Sequence, residues 1–219
     1  MTRPLAVGVL VSGEGTTLDG LAELVLGHHL DVRIALVVAD RPHAKAIERA
    51  RQRGLPTLVL PARGTDPEVW SARLTQELVD QGVALVVLAG FLSILPSSWL
   101  ERWRGRAINV HPSLLPKYGG PGMYGRRVLE ATLAAGELET GVTVHLVTPE
   151  VDRGPPIARE RVPIEPGDTV ELLRDRLHPV EVALLAATIR RFAEGSLPLP
   201  YPERDAPAAG RRDRPDVRE

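Results

Sequence analysis

The stretch LAVGVLVSGEGTTLDG, Leu5–Gly20, decides the fold. Leu5–Val11 is a near-continuous aliphatic and β-branched run, the mark of a strand covered on both faces. Six residues follow that are small or polar, Ser12-Gly13-Glu14-Gly15-Thr16-Thr17. Then Leu18, Leu21, Leu24 and Val25 recur at helical spacing, which predicts a helix over Thr17–Leu26. A buried strand, a glycine turn and a helix in that order form the first half of a parallel crossover unit.

The same rhythm continues outward. Strands are predicted at Val32–Val38, Thr57–Leu60, Ala84–Leu88 and Ala107–Val110. Helices are predicted at His43–Arg53 and Pro67–Gln81, the second with Pro67 in a favourable first-turn position. Right-handed crossovers then give an α/β fold, an open, mostly parallel twisted sheet with helices on both faces. After Gly120 the pattern changes. Arg126–Ala135 reads as a helix, Val142–Val147 and Ile157–Val162 as two successive strands, and Thr169–Glu194 as one long helix bent at Pro179. Two strands in succession predict antiparallel additions in the C-terminal third. Residues 1–200 therefore form one folded unit, and 201–219, rich in proline, arginine and aspartate, read as a disordered tail.

Composition narrows the function classes. With a net charge of −1 over 219 residues there is no basic field for nucleic acid. Cysteine is absent, which excludes disulfides, thiol nucleophiles and cysteine-ligated metal, and fits a cytoplasmic setting. The ten-residue apolar run Val83–Leu92 is too short to cross a membrane. No metal site is expected, because His28 and His29 are adjacent in a turn and hold no joint ligand position.

Open parallel sheets bind ligands beyond the carboxyl ends of their strands. After the first strand, glycines and a helix start favour an anion, most simply a phosphate. The dinucleotide fingerprint is incomplete, since Leu18 stands where the third glycine belongs. Asp40, after the second strand, reads as a turn residue. After the fourth strand, LAGFLSIL carries Gly90 and apolar residues suited either to a pocket wall or to the core. After the fifth, INVHPSLLPKYGG delivers Asn109 and His111 two apart, on one side of an extended chain. A carboxamide and an imidazole are an oxyanion donor and a proton handler, and Pro112 and Pro116 would hold the pair still. PEVDRGPPI carries Asp152, whose charge near His111 would raise the imidazole's pKa. Taken singly, the first loop reads better as an anion site, whereas Asn109, His111 and Asp152 each read more readily as structural.

In this order SGEGTTL, VVLAGFL, INVHPSLLPKY, GVTVHLV and VDRGPPI resemble the phosphoribosylglycinamide formyltransferases, the folate-dependent enzymes of purine synthesis, over about residues 5 to 195. The resemblance implies a Rossmann-like formyltransferase fold, with a phosphate-substrate half (1–100) and a folate and catalytic half (101–200). It implies formyl transfer from 10-formyltetrahydrofolate to the glycinamide amine by direct attack through a tetrahedral intermediate. It implies Asn109, His111 and Asp152 as catalytic residues. Gly15, Thr16, Thr17 and Gly90 are implied around the substrate phosphate, with Glu181 on its ribose. Leu92, Ser93, Ile94 and Leu95, with Asn109, are implied on the folate, and Thr143 near the catalytic centre. The chain departs from the family's pattern at Ser93, Thr17, Pro67 and His178, and in a longer loop over 118–127. The implied partners are small molecules, with neither nucleic acid nor membrane, for a monomer or homodimer. Two alternatives stand beside this reading. A formyltetrahydrofolate hydrolase usually carries a further domain ahead of the sheet, for which a strand starting at Leu5 leaves no room. A non-catalytic sensor of a phosphorylated metabolite would need neither His111 nor Asp152.

Overall fold

The computed structural model describes residues 4–197. The expected disordered tail at 201–219 lies outside them. Seven strands form one sheet in the order β3-β2-β1-β4-β5-β6-β7. These are β1 (Leu5–Val11), β2 (Val32–Ala39), β3 (Thr57–Val59), β4 (Leu85–Leu88), β5 (Ala107–His111), β6 (Glu139–Leu146) and β7 (Pro156–Pro163). The first five pair in parallel, and β5–β6 and β6–β7 pair antiparallel, as the sequence pattern anticipates. Chain order reverses between β1 and β4, so the crevice of a doubly wound sheet opens at their carboxyl ends.

Strand alternation sorts the core into two layers. Val7, Val9 and Val11 of β1 face one side, packed with α1 (Thr16–Leu26), α2 (Lys45–Gln52), α5 (Arg126–Ala134) and α6 (Val170–Ala193). Ala6 and Leu10 face the other, packed with α3 (Pro67–Asp80) and α4 (Ser97–Arg102). The helix α4 has no counterpart in the periodicity reading. It is six residues long, and Trp99 and Trp103, 2% and 1% exposed, anchor it to the sheet. Burial of two indoles, not helical spacing, determines it. Helix α6 runs unbroken through Pro179, held by burial of Leu173, Leu177, Leu185 and Ile189 on either side. Among the described residues no helix is long and apolar enough to cross a membrane.

Candidate active site

The loop after β1 is set by a close approach. Gly15 has φ 77°, and a Cβ there would lie 2.5 Å from the Ala46 Cβ. Glycine alone fits, and the loop is clamped further by the Ala46 amide on the Gly13 carbonyl (3.1 Å) and the Ser12 amide on the Gly90 carbonyl (3.2 Å). No side chain caps α1. Thr17 instead points its hydroxyl at Glu181 on α6 (3.5 Å). The first amides of α1 therefore keep their hydrogens for an anion. Among the described residues Glu181 has no other hydrogen-bond partner, and burial pushes its carboxyl up to about 7, against which the Thr17 hydroxyl pulls.

The second cluster is built by register. Antiparallel pairing sets His111 opposite Thr143 and Asn109 opposite His145. Cross-strand neighbours on one face touch, and Asn109 Nδ2 lies 3.0 Å from His145 Nε2. The loop after β6 turns through Asp152 at φ 56°, and Gly154 presses so close to the Leu146 carbonyl that a Cβ would overlap it. This brings the Asp152 carboxylate to 3.6 Å from both His111 Nδ1 and His145 Nε2. The loop after β5 closes the cluster from the other side. The Tyr118 carbonyl accepts from His111 Nε2 (2.8 Å), and the Gly120 amide donates to Asp152 Oδ2 (3.0 Å). Thr143 lies beneath, accepting from the Leu115 amide (3.1 Å) and donating to the Ser113 carbonyl (2.7 Å). It braces the Pro112–Pro116 segment and does not line the cavity.

Carbonyls only accept, so they fix the tautomers. His145 Nδ1–H is given to the Leu146 carbonyl (2.8 Å), which leaves Nε2 to accept from Asn109. The second Asn109 amide hydrogen faces Asp152 Oδ1 at 3.4 Å, longer than the usual 2.7–3.2 Å, and is the one available to a substrate oxygen. His111 spends Nε2–H on Tyr118, so Nδ1 is its free nitrogen. The expected rise in the His111 pKa is corrected here. Burial, with the residue 4% exposed, outweighs the attraction of Asp152 and pulls the imidazole below its usual 6.5. Burial alone would raise the Asp152 carboxyl. The two imidazoles beside it, His145 ahead of His111, and the Gly120 amide together hold it low.

One cavity of about 1140 Å³ joins the two clusters. Pockets for small ligands typically run to about 300–1,000 Å³, and this one lies just above the top of that range. Twelve of the residues singled out from the sequence line it, from Gly15, Thr16 and Thr17 through Gly90, Leu92, Ser93, Ile94 and Leu95 to Asn109, His111, Asp152 and Glu181, whereas Thr143 does not. The wall beyond β4 is apolar, with Leu88, Leu95, Leu100 and Val147. It suits a flat ring with hydrogen-bonding edges that main-chain groups would meet. The Leu92 amide is not among these, since it donates to Ser12 Oγ (2.8 Å).

Three side chains differ from the expectation. Ser93 turns its hydroxyl onto Asp40 (2.6 Å), in the ridge between this cavity and a second one of about 810 Å³. Asp40, read as a turn residue, is 3% exposed, and its Oδ1 has no partner among the described residues. His145 was not singled out as a site residue. Its signal is the spacing Thr143-x-His145, alternating with the buried Val142, Val144 and Leu146, the same spacing that marks Asn109 and His111. Among the described residues no three His, Asp or Glu side chains converge to hold a metal ion.

The formyl transferase family model matches residues 5–189. A trifunctional purine biosynthetic protein, adenosine-3, from Drosophila melanogaster is 41% identical over 184 residues, 82% of this chain. The chain spans only 13% of that protein's length. The phosphoribosylglycinamide formyltransferase of Escherichia coli (strain K12) is 36% identical over 190 residues, covering 86% of this chain and 87% of that one. The crystal structure of glycinamide ribonucleotide transformylase 1 from Symbiobacterium toebii superposes with a TM-score of 0.82 at 36% identity, over 89% of this chain and 90% of that one.

Proposed function

Because the chain belongs to the formyl transferase family, we propose that it moves a formyl group from 10-formyltetrahydrofolate to the glycinamide amine of 5′-phosphoribosylglycinamide. One observation carries this reading. An uncapped helix start, the Glu181 carboxyl and an Asn–His–Asp cluster open into a single large cavity. The substrate phosphate would lie on the amides at Gly15, Thr16 and Thr17 beside Gly90, and the ribose against Glu181. Leu92, Ser93, Ile94 and Leu95 would hold the folate along the apolar wall, with Asn109 at its reacting end. The reduced folate supplies an activated formyl carbon, which the amine attacks directly. No protein nucleophile is required.

Asn109 would donate its loosely held amide hydrogen to the oxyanion that develops at that carbon. His111 Nδ1, neutral at pH 7, would take the amine's proton and return it to the departing nitrogen. Asp152, itself held by the Gly120 amide, would stabilise the imidazolium while it exists, and the Tyr118 carbonyl keeps the ring in place. His145 orients Asn109. Both substrates are soluble small molecules, in keeping with a cytoplasmic setting, and the halves 1–100 and 101–200 would hold mainly the ribonucleotide and mainly the folate.

The test is absorbance-monitored release of deformylated folate, with and without glycinamide ribonucleotide, beside a His111→Ala variant. Turnover that requires the ribonucleotide and falls about 10²–10³-fold in the variant supports the reading. Turnover without the ribonucleotide makes the protein a hydrolase. No turnover by folded protein returns it to a non-catalytic binder.

A further inference from the structure

The carbonyl that holds His111 belongs to a residue in an unusual conformation. Tyr118 has φ 55°, a left-handed backbone that a bulky residue keeps only where its surroundings impose it. One carboxylate grips both sides of this turn. Glu137, between α5 and β6, accepts from the Tyr118 phenol (2.9 Å) and takes the Lys117 ammonium on both oxygens (2.8 and 3.1 Å). In an extended chain consecutive side chains point to opposite faces. The left-handed turn brings these two to one carboxylate, and the carboxylate in return holds the turn. On the inner side, the buried Ser113 hydroxyl donates to the Lys117 carbonyl (2.6 Å), and the Tyr118 carbonyl accepts from His111 Nε2 (2.8 Å). Lys117, Tyr118 and Glu137 all lie outside the cavity lining. An isolated exposed ion pair adds little to stability. Two donors from consecutive residues on one acceptor do something else: they fix the direction of the main chain between them.

That direction decides which nitrogen of His111 is free. The tautomer of an imidazole is set by the bond that its other nitrogen makes. Asp152 Oδ2, 3.6 Å from Nδ1, would draw the ring proton to that nitrogen. The Tyr118 carbonyl competes by holding the proton on Nε2. With the carbonyl turned away, the other tautomer gains, and Nδ1 loses the lone pair that takes the amine's proton. We propose that Glu137 is a positioning residue for the reaction, which through Lys117 and Tyr118 fixes the carbonyl that keeps His111 in its Nε2–H tautomer. This rests on the reading of His111 as the proton acceptor. It adds the group, outside the cavity, that keeps the acceptor nitrogen free.

The experiment compares Glu137→Ala, Glu137→Gln and Tyr118→Phe with the wild-type chain. Steady-state kinetics is read beside nitrogen NMR of the His111 ring, assigned against His111→Ala. Glu137→Ala and Tyr118→Phe both break the phenol contact, and either serves if the other fails to fold. Gln keeps an oxygen that accepts. Loss of this hydrogen bond should lower kcat roughly threefold to tenfold. Both KM values should stay within about twofold, and Gln should recover most of the loss. The double variant Glu137→Ala/Tyr118→Phe should lose no more than Glu137→Ala alone, because the two act through one chain of contacts. In the neutral ring, the wild type should show the Nε2–H tautomer, and Glu137→Ala should shift it toward Nδ1–H. A Glu137 that serves packing alone would lower Tm and leave kcat and the tautomer as they are, and that result overturns the proposal. So does a rise in KM with kcat kept. If the wild type shows no ribonucleotide-dependent turnover, the proposed function fails. The NMR comparison then still decides whether Glu137 sets the tautomer, and an unmoved tautomer overturns that role.

Discussion

The loop after β1 and the corner between β5 and β6 open into one cavity but are built by opposite means. The loop is local. Residues 12–17 shape it, one glycine at φ 77° permits it, and its working groups are main-chain amides that carry no titratable charge. The corner is assembled from afar. Asn109, His145 and Asp152 are separated by 36 and 43 residues along the chain and meet only through strand register and a strained turn. A local anion cradle tolerates changes in side chain but not in backbone. A corner built of side chains tolerates backbone adjustment, because several contacts hold each group, but depends on every charge.

The largest expected effect tests the corner. In Asp152→Asn the shape is nearly kept, and the new amide oxygen can still accept from Gly120. What is lost is the negative charge beside an imidazole that must become positive during turnover. A fall in kcat of about 10²–10³-fold is expected, with both KM values changing far less. The Asp152 charge also holds the His111 pKa up against burial, so the substitution should move it further below 6.5, as an NMR titration of the ring would read. Folding already disfavours the proton on His111. Its contribution to stability is therefore complete above pH 6.5 and declines as pH falls below that value. A variant with normal kcat would mean that the corner is structural.

The loop breaks differently. Gly15→Ala puts a Cβ 2.5 Å from the Ala46 Cβ and 2.7 Å from the Ala46 Cα, in a left-handed conformation. The conformation alone costs about 1–2 kcal/mol, and the clash with α2 adds to it. In a chain of this size each kcal/mol lowers Tm by roughly 2–4 °C. Calorimetry should show a loss of several degrees. Steady-state kinetics should show a higher KM for the ribonucleotide, with the formyl-folate KM unmoved. If instead the two KM values rise together, the loop does not serve one substrate alone.

This division also explains what the sequence allowed to be read. Leu5–Val11 and the glycines after it declare themselves, because burial on both faces and a tight turn each leave a compositional trace. So do Asn109 and His111, two apart in the chain and followed by prolines. The downward shift of the His111 pKa leaves no such trace, because burial is a property of what packs over the ring and none of that is nearby in sequence. His145 is legible only once β5 and β6 are paired in register. Asp40 looks like a turn residue because its partner, Ser93, comes from another strand end 53 residues away. The indole-anchored α4 is invisible to any rule based on period.

Glu181 belongs to both regions and gives the finest test. It is a side chain from α6, yet it completes the loop's site through Thr17. With its pKa at about 7, the free carboxyl is half protonated near neutrality. A sugar hydroxyl donates to the charged form, so the ribonucleotide KM should rise as pH falls, by about tenfold between pH 8 and pH 6. Glu181→Gln should flatten that dependence. Stability should run the other way. The folded pKa lies above the ordinary 4.5, so the group's favourable contribution is complete below 4.5 and is lost as pH rises through 7. Glu181→Gln protein should thus be the more stable one above pH 7, with the difference vanishing toward acid. Opposite pH slopes in binding and in stability are the signature of a buried acid kept for a ligand. Parallel slopes, or none, would make Glu181 a packing residue of α6 and leave the loop to bind its anion alone.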